Sequence, residues 1–179
     1  RPEHVPGRGD NGAGVAPERE GTWVEPDSGR RLFFRLWQPP APTTLLVLVH
    51  GFAEHGGRYL SVAQRLCAQG LAVAVPDLWG HGRSGGRRGD APSVAQHVED
   101  VRRLTREVFL PAVPAQRVAV YGHSFGGLLA LHWALRDPGS MPRLIVQSPL
   151  LAVGFPVGAW KHAVTEWLAR HWPTAPIPI

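Results

Sequence analysis

Apolar positions along this chain switch between two periods. Leu45-Leu46-Val47-Leu48-Val49 is uninterrupted, and Leu71 to Val75 is a second short run of the same kind. Unbroken runs of this length suit strands buried on both faces. Arg117 to Tyr121 and Leu144 to Gln147 read as two more strands. Between the strands the apolar residues return at helical spacing. Tyr59, Leu60, Ala63, Leu66 and Cys67 stripe a helix over 58–69 that Gly70 ends. Val94, Val98, Val101, Leu104 and Val108 stripe a second, opened by the capping box Ser93-x-x-Gln96. Phe125 to Arg136 is a third. Upstream, Thr22 to Glu25 and Arg31 to Gln38 read as a hairpin across Pro26-Asp27-Ser28-Gly29, followed by the rigid connector Pro39-Pro40-Ala41-Pro42. Alternating strand and helix units predict an α/β fold with a mostly parallel, doubly wound sheet.

The pattern changes at both ends. Residues 1–20 are rich in Gly, Pro and charge without a period, and disorder is expected there. From Leu150 onward, Val157, Trp160, Val164, Trp167, Leu168 and His171 fall at helical spacing before Pro173, Pro176 and Pro178. The expected organisation is therefore an unordered segment at 1–20, a core at 21–149 and a distinct helical region at 150–179. That last region is either a helix packed on the core or the start of a cap, and the cap is favoured.

Composition narrows the class. Hydrophobic residues make up 44% of the 179, enough for one core of ordinary domain size. No apolar run approaches the roughly 18 residues of a membrane span. The net charge of +5 could suggest a nucleic-acid partner. However, eighteen of the nineteen basic residues are arginine, scattered and not interleaved with aromatics, so no nucleic acid is expected. Arg87-Arg88 and Arg102-Arg103 read as solvated surface. A single cysteine, Cys67, excludes an internal disulfide and falls in a buried stripe. No signal-peptide pattern is visible, which favours the cytoplasm, but the sequence opens on Arg1 and its only methionine is Met141, so the compartment stays open.

The candidate chemistry sits at Gly122-His123-Ser124-Phe125-Gly126. This G-x-S-x-G lies between a strand pattern and a helix pattern, the context in which the serine occupies a sharp, strained turn with its hydroxyl exposed at a sheet edge. Glycines at both flanks are required because a side chain there would strike the neighbouring strand or helix. The buried run ending at Val49 leads straight into His50-Gly51-Phe52-Ala53-Glu54-His55. A His-Gly turn at that point supplies one oxyanion-hole donor in hydrolases with such an elbow, and the residue after the serine supplies the other. The backbone N–H groups of Phe52 and Phe125 are the candidate pair, with Ser124 the candidate nucleophile. The next strand leads into Asp77-Leu78-Trp79-Gly80-His81-Gly82-Arg83-Ser84, and His50 and His81, each in its own turn motif, read as turn packing.

Taken together, His50-Gly51-x-x-Glu54-His55-x-Gly57-Arg58-Tyr59, the Asp77 to Ser84 loop and Gly122-His123-Ser124-x-Gly126-Gly127 resemble the monoacylglycerol lipase and lysophospholipase branch of the α/β-hydrolases, also called serine aminopeptidase S33-like. The resemblance covers about residues 20–179. It implies an α/β-hydrolase fold, a cap inserted after the strand at Leu144 to Gln147, and cleavage of carboxylic esters through an acyl-enzyme on Ser124. The substrate class implied is a small acyl ester, monoacylglycerol-like or lysophospholipid-like. Trp160 and Trp167 would suit an apolar acyl pocket or a peripheral contact with a lipid surface.

The triad acid and base are harder to place. In this fold they follow the serine in the order acid, then histidine. After Ser124 the chain offers Asp137, a helix terminator before Pro138; His132, two turns along the helix; and Glu166, His162 and His171 in the expected cap. The two later strands that normally carry the acid and base are missing, so the sequence is expected to be the N-terminal part of a longer hydrolase and inactive alone. Nothing implies a cofactor: Rossmann fingerprint, P-loop and H-E-x-x-H are all lacking. A peptidase or acyltransferase on the same scaffold, and a noncatalytic remnant that keeps the apolar pocket, remain as alternatives.

Overall fold

The computed structural model describes residues 19–90, 93–115, 117–140, 143–152 and 158–172. Six strands form one sheet: β1 Arg19–Val24, β2 Arg31–Trp37, β3 Thr44–Val49, β4 Leu71–Pro76, β5 Arg117–His123 and β6 Arg143–Gln147. Their spatial order is β1-β2-β4-β3-β5-β6. β1 and β2 form the expected hairpin and β2 pairs antiparallel with β4, whereas β3–β4, β3–β5 and β5–β6 are parallel. The chain leaves β3 to build one side of the sheet and returns to build the other beside it. That reversal between β3 and β5 opens a crevice at the carboxyl ends of both strands.

The helices cover both faces. A 3₁₀ turn at Gly56–Tyr59 leads into α1 Leu60–Ala68, which closes a small cluster of Trp37, Leu48, Ala63, Val73 and Val75. Cys67 packs against that cluster, as its place in the stripe predicts. On the other face α2 Val94–Leu104 and α4 Phe125–Arg136 bury the main core, including Leu45, Val47, Val49, Val101, Leu104 and Leu129. β3 is buried along almost its whole length, the outcome its apolar run requires.

α2 departs from the simple helical reading. It continues through a π turn at Thr105–Phe109 and a short α3 at Leu110–Ala112. The wider turn shifts the phase, so Phe109 enters the core fully buried and meets Phe34 edge-on at 5.4 Å between ring centres. Thr105 donates its hydroxyl to the Val101 carbonyl inside this region. The capping box forms only in half. The Ser93 hydroxyl accepts from the Gln96 amide, but the Gln96 side chain turns to Asp100, which it shares with Arg30.

Of the two arginine pairs read as solvated surface, Arg87-Arg88 is exposed as expected, whereas Arg102 and Arg103 are half-buried in ion pairs. Arg103 bridges Glu25, Asp27 and Glu107, and Arg102 pairs with Glu99 and Asp137. Arg88 donates to the carbonyls of Gly82, Ser84 and Gly86 and so ties the glycine loop together. A planar, five-donor guanidinium can satisfy several carbonyls or carboxylates at once, and that geometry appears only in the folded chain.

Glu25 anchors the β1–β2 turn. Hydrogen bonds from Ser28, first its hydroxyl, then the Asp27 and Ser28 amides and the Arg103 charge, outweigh the opposing effect of burial and hold its carboxyl down to about 2. A carboxylate with a depressed folded pKa lends stability above its unfolded value, and that stability disappears as pH falls toward the folded one. Thermal stability should therefore decline between about pH 4.5 and 2, and Glu25→Gln should flatten that limb. An unchanged acid limb in a series of melting curves would show that Glu25 does not carry it.

β6 is the outermost strand on its side. Ile145 and Val146 are 50% and 39% exposed, and among the described residues no strand pairs with its outer edge. An apolar edge of this kind templates association. The 179-residue chain by itself should aggregate at micromolar concentration, and Ile145→Lys should raise its soluble yield several-fold. Equal sedimentation profiles for both forms would remove the edge as the cause.

Of the segment 1–20 expected to be unordered, residues 1–18 lie outside the described residues, as does Val157 of the expected cap stripe, whereas Arg19 and Glu20 are ordered in β1, paired with Leu36 and Arg35, so the core begins two residues earlier than expected. Within the region 150–179, α5 spans Ala159–His171. Trp160 and Trp167, both on α5, are 68% and 57% exposed. Among the described residues no helix is long and apolar enough to cross a membrane.

Candidate active site

The site begins with backbone geometry. Ser124 joins β5 to α4 with φ 51° and ψ −112°, a left-handed torsion that costs a non-glycine residue on the order of 1–3 kcal/mol. Three hydrogen bonds hold it there. Its amide donates to the Gln147 carbonyl, and its carbonyl accepts from the amides of Leu128 and Leu150. Its hydroxyl does not cap α4 and is left for other work.

Both flanking glycines are sterically enforced. A Cβ on Gly126 would lie 2.2 Å from the Val49 carbonyl oxygen, and one on Gly122 would lie 2.3 Å from the Gly126 oxygen. The elbow therefore depends on direct backbone contact of α4 with β3 and β5. The Phe125 amide is the first N–H of α4, where no intrahelical carbonyl can accept it and the helix dipole favours negative charge.

The turn after β3 closes against the serine. A Cβ on Gly51 would stand 3.4 Å from the Ser124 Cβ and 3.2 Å from Glu54 Oε2. The Gly51 amide and the Tyr59 hydroxyl both donate to that Glu54 oxygen, at 3.1 and 2.8 Å. Burial works against the Glu54 charge, but these two hydrogen bonds, with His123 and Arg58 nearby, hold its carboxyl below the usual range. Ala53, between Phe52 and Glu54, sits at φ 56°. A carboxylate on the Gly51 amide thus pins a strained turn whose apex is Phe52. The sequence shows Glu54 only as a motif letter; its three-residue reach back to Gly51 is the signal for this role.

His50 has a fixed tautomer. Its Nδ1 faces the Gly51 carbonyl at 2.7 Å, and its Nε2 accepts from the Leu78 amide at 3.0 Å. Burial pushes its pKa down to about 4, so it stays neutral and both nitrogens are occupied. It packs the turn, as expected, and has no nitrogen left to act as a base. The Asp77 to Ser84 loop is likewise architectural. Asp77 is fully buried, accepts from the Gly56 and Arg83 amides at 2.6 and 2.8 Å, and meets Arg35 at 3.3 Å. The Ser84 hydroxyl accepts from the Phe33 amide and donates to the Asp77 carbonyl, which stitches the loop to β2.

The structure brings Ser124, Gly51, Phe52 and Phe125 together, with the Phe52 and Phe125 rings 6.0 Å apart. Among the described residues, Asp137 and His171 have partners elsewhere. Asp137 ends α4 in contact with Ser140 and Arg102, and His171 lies at the end of α5 against the Trp167 carbonyl. Trp160 and Trp167 stand exposed on α5, with Lys161 5.5 Å from the Trp160 ring and His171 stacked on Trp167. Among the described residues no cluster of three His, Cys, Asp or Glu side chains could hold a metal ion.

Known proteins agree with this architecture. The family model for serine aminopeptidase, S33, matches residues 40–178. The monoacylglycerol lipase of Mycolicibacterium smegmatis is 36% identical over 150 residues, which cover 83% of this chain and 53% of that one. The monoglyceride lipase of Homo sapiens is 35% identical over 124 residues, covering 69% of this chain and 41% of that one. Among solved structures, the monoacylglycerol lipase of Paleococcus ferrophilus superposes with a TM-score of 0.67 at 29% identity, covering 79% of this chain and 52% of that one. The chain spans about half the length of these relatives. With its elbow, His-Gly turn and mostly parallel sheet, it belongs to the serine aminopeptidase S33 family of α/β-hydrolases, in the branch that resembles monoacylglycerol lipases.

Proposed function

We propose that this chain carries the nucleophile and oxyanion hole of a serine hydrolase that cleaves small acyl esters, monoacylglycerol-like or lysophospholipid-like. The observation that carries the reading is the Ser124 backbone at φ 51°, locked between glycines that admit no Cβ and set against the Gly51 turn. In the proposed reaction the Ser124 Oγ attacks the ester carbonyl carbon as a histidine takes its proton. The carbonyl oxygen becomes an oxyanion held by the Phe52 and Phe125 amides. The C–O bond to the alcohol then breaks as the same histidine returns the proton to the leaving oxygen. Water repeats the sequence on the acyl-enzyme and releases the acid.

The acid and base are proposed to come from sequence beyond these residues. His50 uses both ring nitrogens, and His81 and His97 are buried behind the turn, so none of them serves. The names of the relatives and the exposed aromatic residues Phe52, Trp160 and Trp167 support an apolar acyl chain and a peripheral contact with lipid. The family description supports a second reading, peptide hydrolysis, which parallel assays on p-nitrophenyl esters and amino-acid p-nitroanilides separate. The direct test is labelling of the complete enzyme with an alkyl fluorophosphonate followed by peptide mapping. The adduct should fall on Ser124; an adduct on any other serine, or none at all, overturns the assignment.

A further inference from the structure

Four rings close a loop behind the candidate oxyanion hole. Phe52 meets His81 at 5.5 Å and 76°, and His81 meets His97 at 6.5 Å and 65°. His97 meets Phe125 at 5.6 Å and 87°, and Phe125 meets Phe52 at 6.0 Å and 84°. Every contact is edge-to-face, the arrangement that ring quadrupoles favour. Each ring comes from a different element: the turn after β3, the Asp77 to Ser84 loop, α2 and the start of α4.

The two histidines are costly components of such a box. His97 is fully buried and neither ring nitrogen has a hydrogen-bond partner; His81 is 3% exposed and its Nε2 has none. His81 is fixed by its Nδ1, 2.9 Å from the Trp79 carbonyl. Buried polar atoms without partners are rare enough to require a reason beyond packing. Burial brings the His97 pKa down to about 4, so that ring is neutral at ordinary pH.

We infer that His97 is a positioning residue: through the ring box it sets the distance between the Phe52 and Phe125 amides and so fixes the width of the oxyanion hole. The inference rests on the proposed ester hydrolysis. Glu54 pins the turn from the Gly51 side, but Phe52 at its apex is 46% exposed, whereas Phe125 is buried at the start of α4. His97 contacts Phe125 directly and Phe52 through His81.

The test uses the complete enzyme, with its triad acid and base. His97→Ala should lower kcat for p-nitrophenyl butyrate about tenfold or more with KM changed less than twofold, part of the 10²–10³ that losing one oxyanion donor costs. Butylboronic acid, whose tetrahedral serine adduct places an oxygen in the hole, should bind more weakly by the same factor. His97→Phe restores a ring at the corner and should keep kcat within about fivefold. Leu104→Ala, on the same helix and outside the box, supplies a variant of matched thermal destabilisation and should keep both kcat and boronate affinity. Loss of kcat in Leu104→Ala equal to that in His97→Ala, or unchanged boronate binding in His97→Ala, overturns the inference. So does a His97→Phe enzyme as slow as His97→Ala. If Ser124→Ala retains turnover, the nucleophile reading fails instead, and the two failures are distinguishable.

Discussion

Ser124→Ala should reduce ester turnover of the complete enzyme by about 10⁶-fold, since the remaining groups of a triad give almost nothing without the nucleophile. The substitution removes one oxygen from a hydroxyl that makes no cap hydrogen bond, and the three backbone hydrogen bonds at this residue survive it. Alanine must still adopt φ 51°, a strain that serine already bears, so the melting temperature should move by no more than a few degrees. Purified Ser124→Ala with more than a few per cent of the parent rate on p-nitrophenyl butyrate would refute the nucleophile assignment. An unfolded variant would instead show that the hydroxyl is structural, and circular dichroism separates the two.

The second large effect is expected at Gly51. Added atoms there meet Glu54 Oε2 at 3.2 Å and the Ser124 Cβ at 3.4 Å, tight but negotiable for a single methyl. Gly51→Ala should therefore cost less than about tenfold in kcat/KM. The two γ-methyls of Gly51→Val extend further and must push the turn away from the elbow. That moves the Phe52 amide out of reach, and a loss on the order of 10²-fold or more follows, the scale of one missing oxyanion donor. Small, equal losses for both variants would mean that the turn after β3 does not form the hole.

Most of the sheet was legible because strands buried on both faces must be apolar throughout, and Leu45 to Val49 leaves no other place for its side chains. The elbow was legible because backbone-to-backbone contact at Gly122 and Gly126 admits only glycine. Cross-chain contacts were less visible. Arg103 reaches Glu25 and Asp27 from more than seventy residues away, and no local spacing announces that pairing. Glu54 and His97 were hidden for a different reason: each acts through neighbours that fold brings near, one by gripping a backbone amide and the other through ring contacts. A helix, α5, falls where the apolar spacing places one, but which face of it meets a partner is not a property of its own period.

The π turn at Thr105–Phe109 has a consequence for how this gene can change. It amounts to one extra residue in an otherwise regular helix. Deleting a single codon there would restore an ordinary turn and leave the helix on either side close to its present phase, whereas the same deletion within α2 would rotate everything downstream by about 100° relative to everything upstream. Only the second change would swing Phe109 off Phe34 and bring the segment leading into β5 in misaligned. A codon-scanning library should thus find one-residue deletions depleted across 94–104 and better tolerated between 105 and 108.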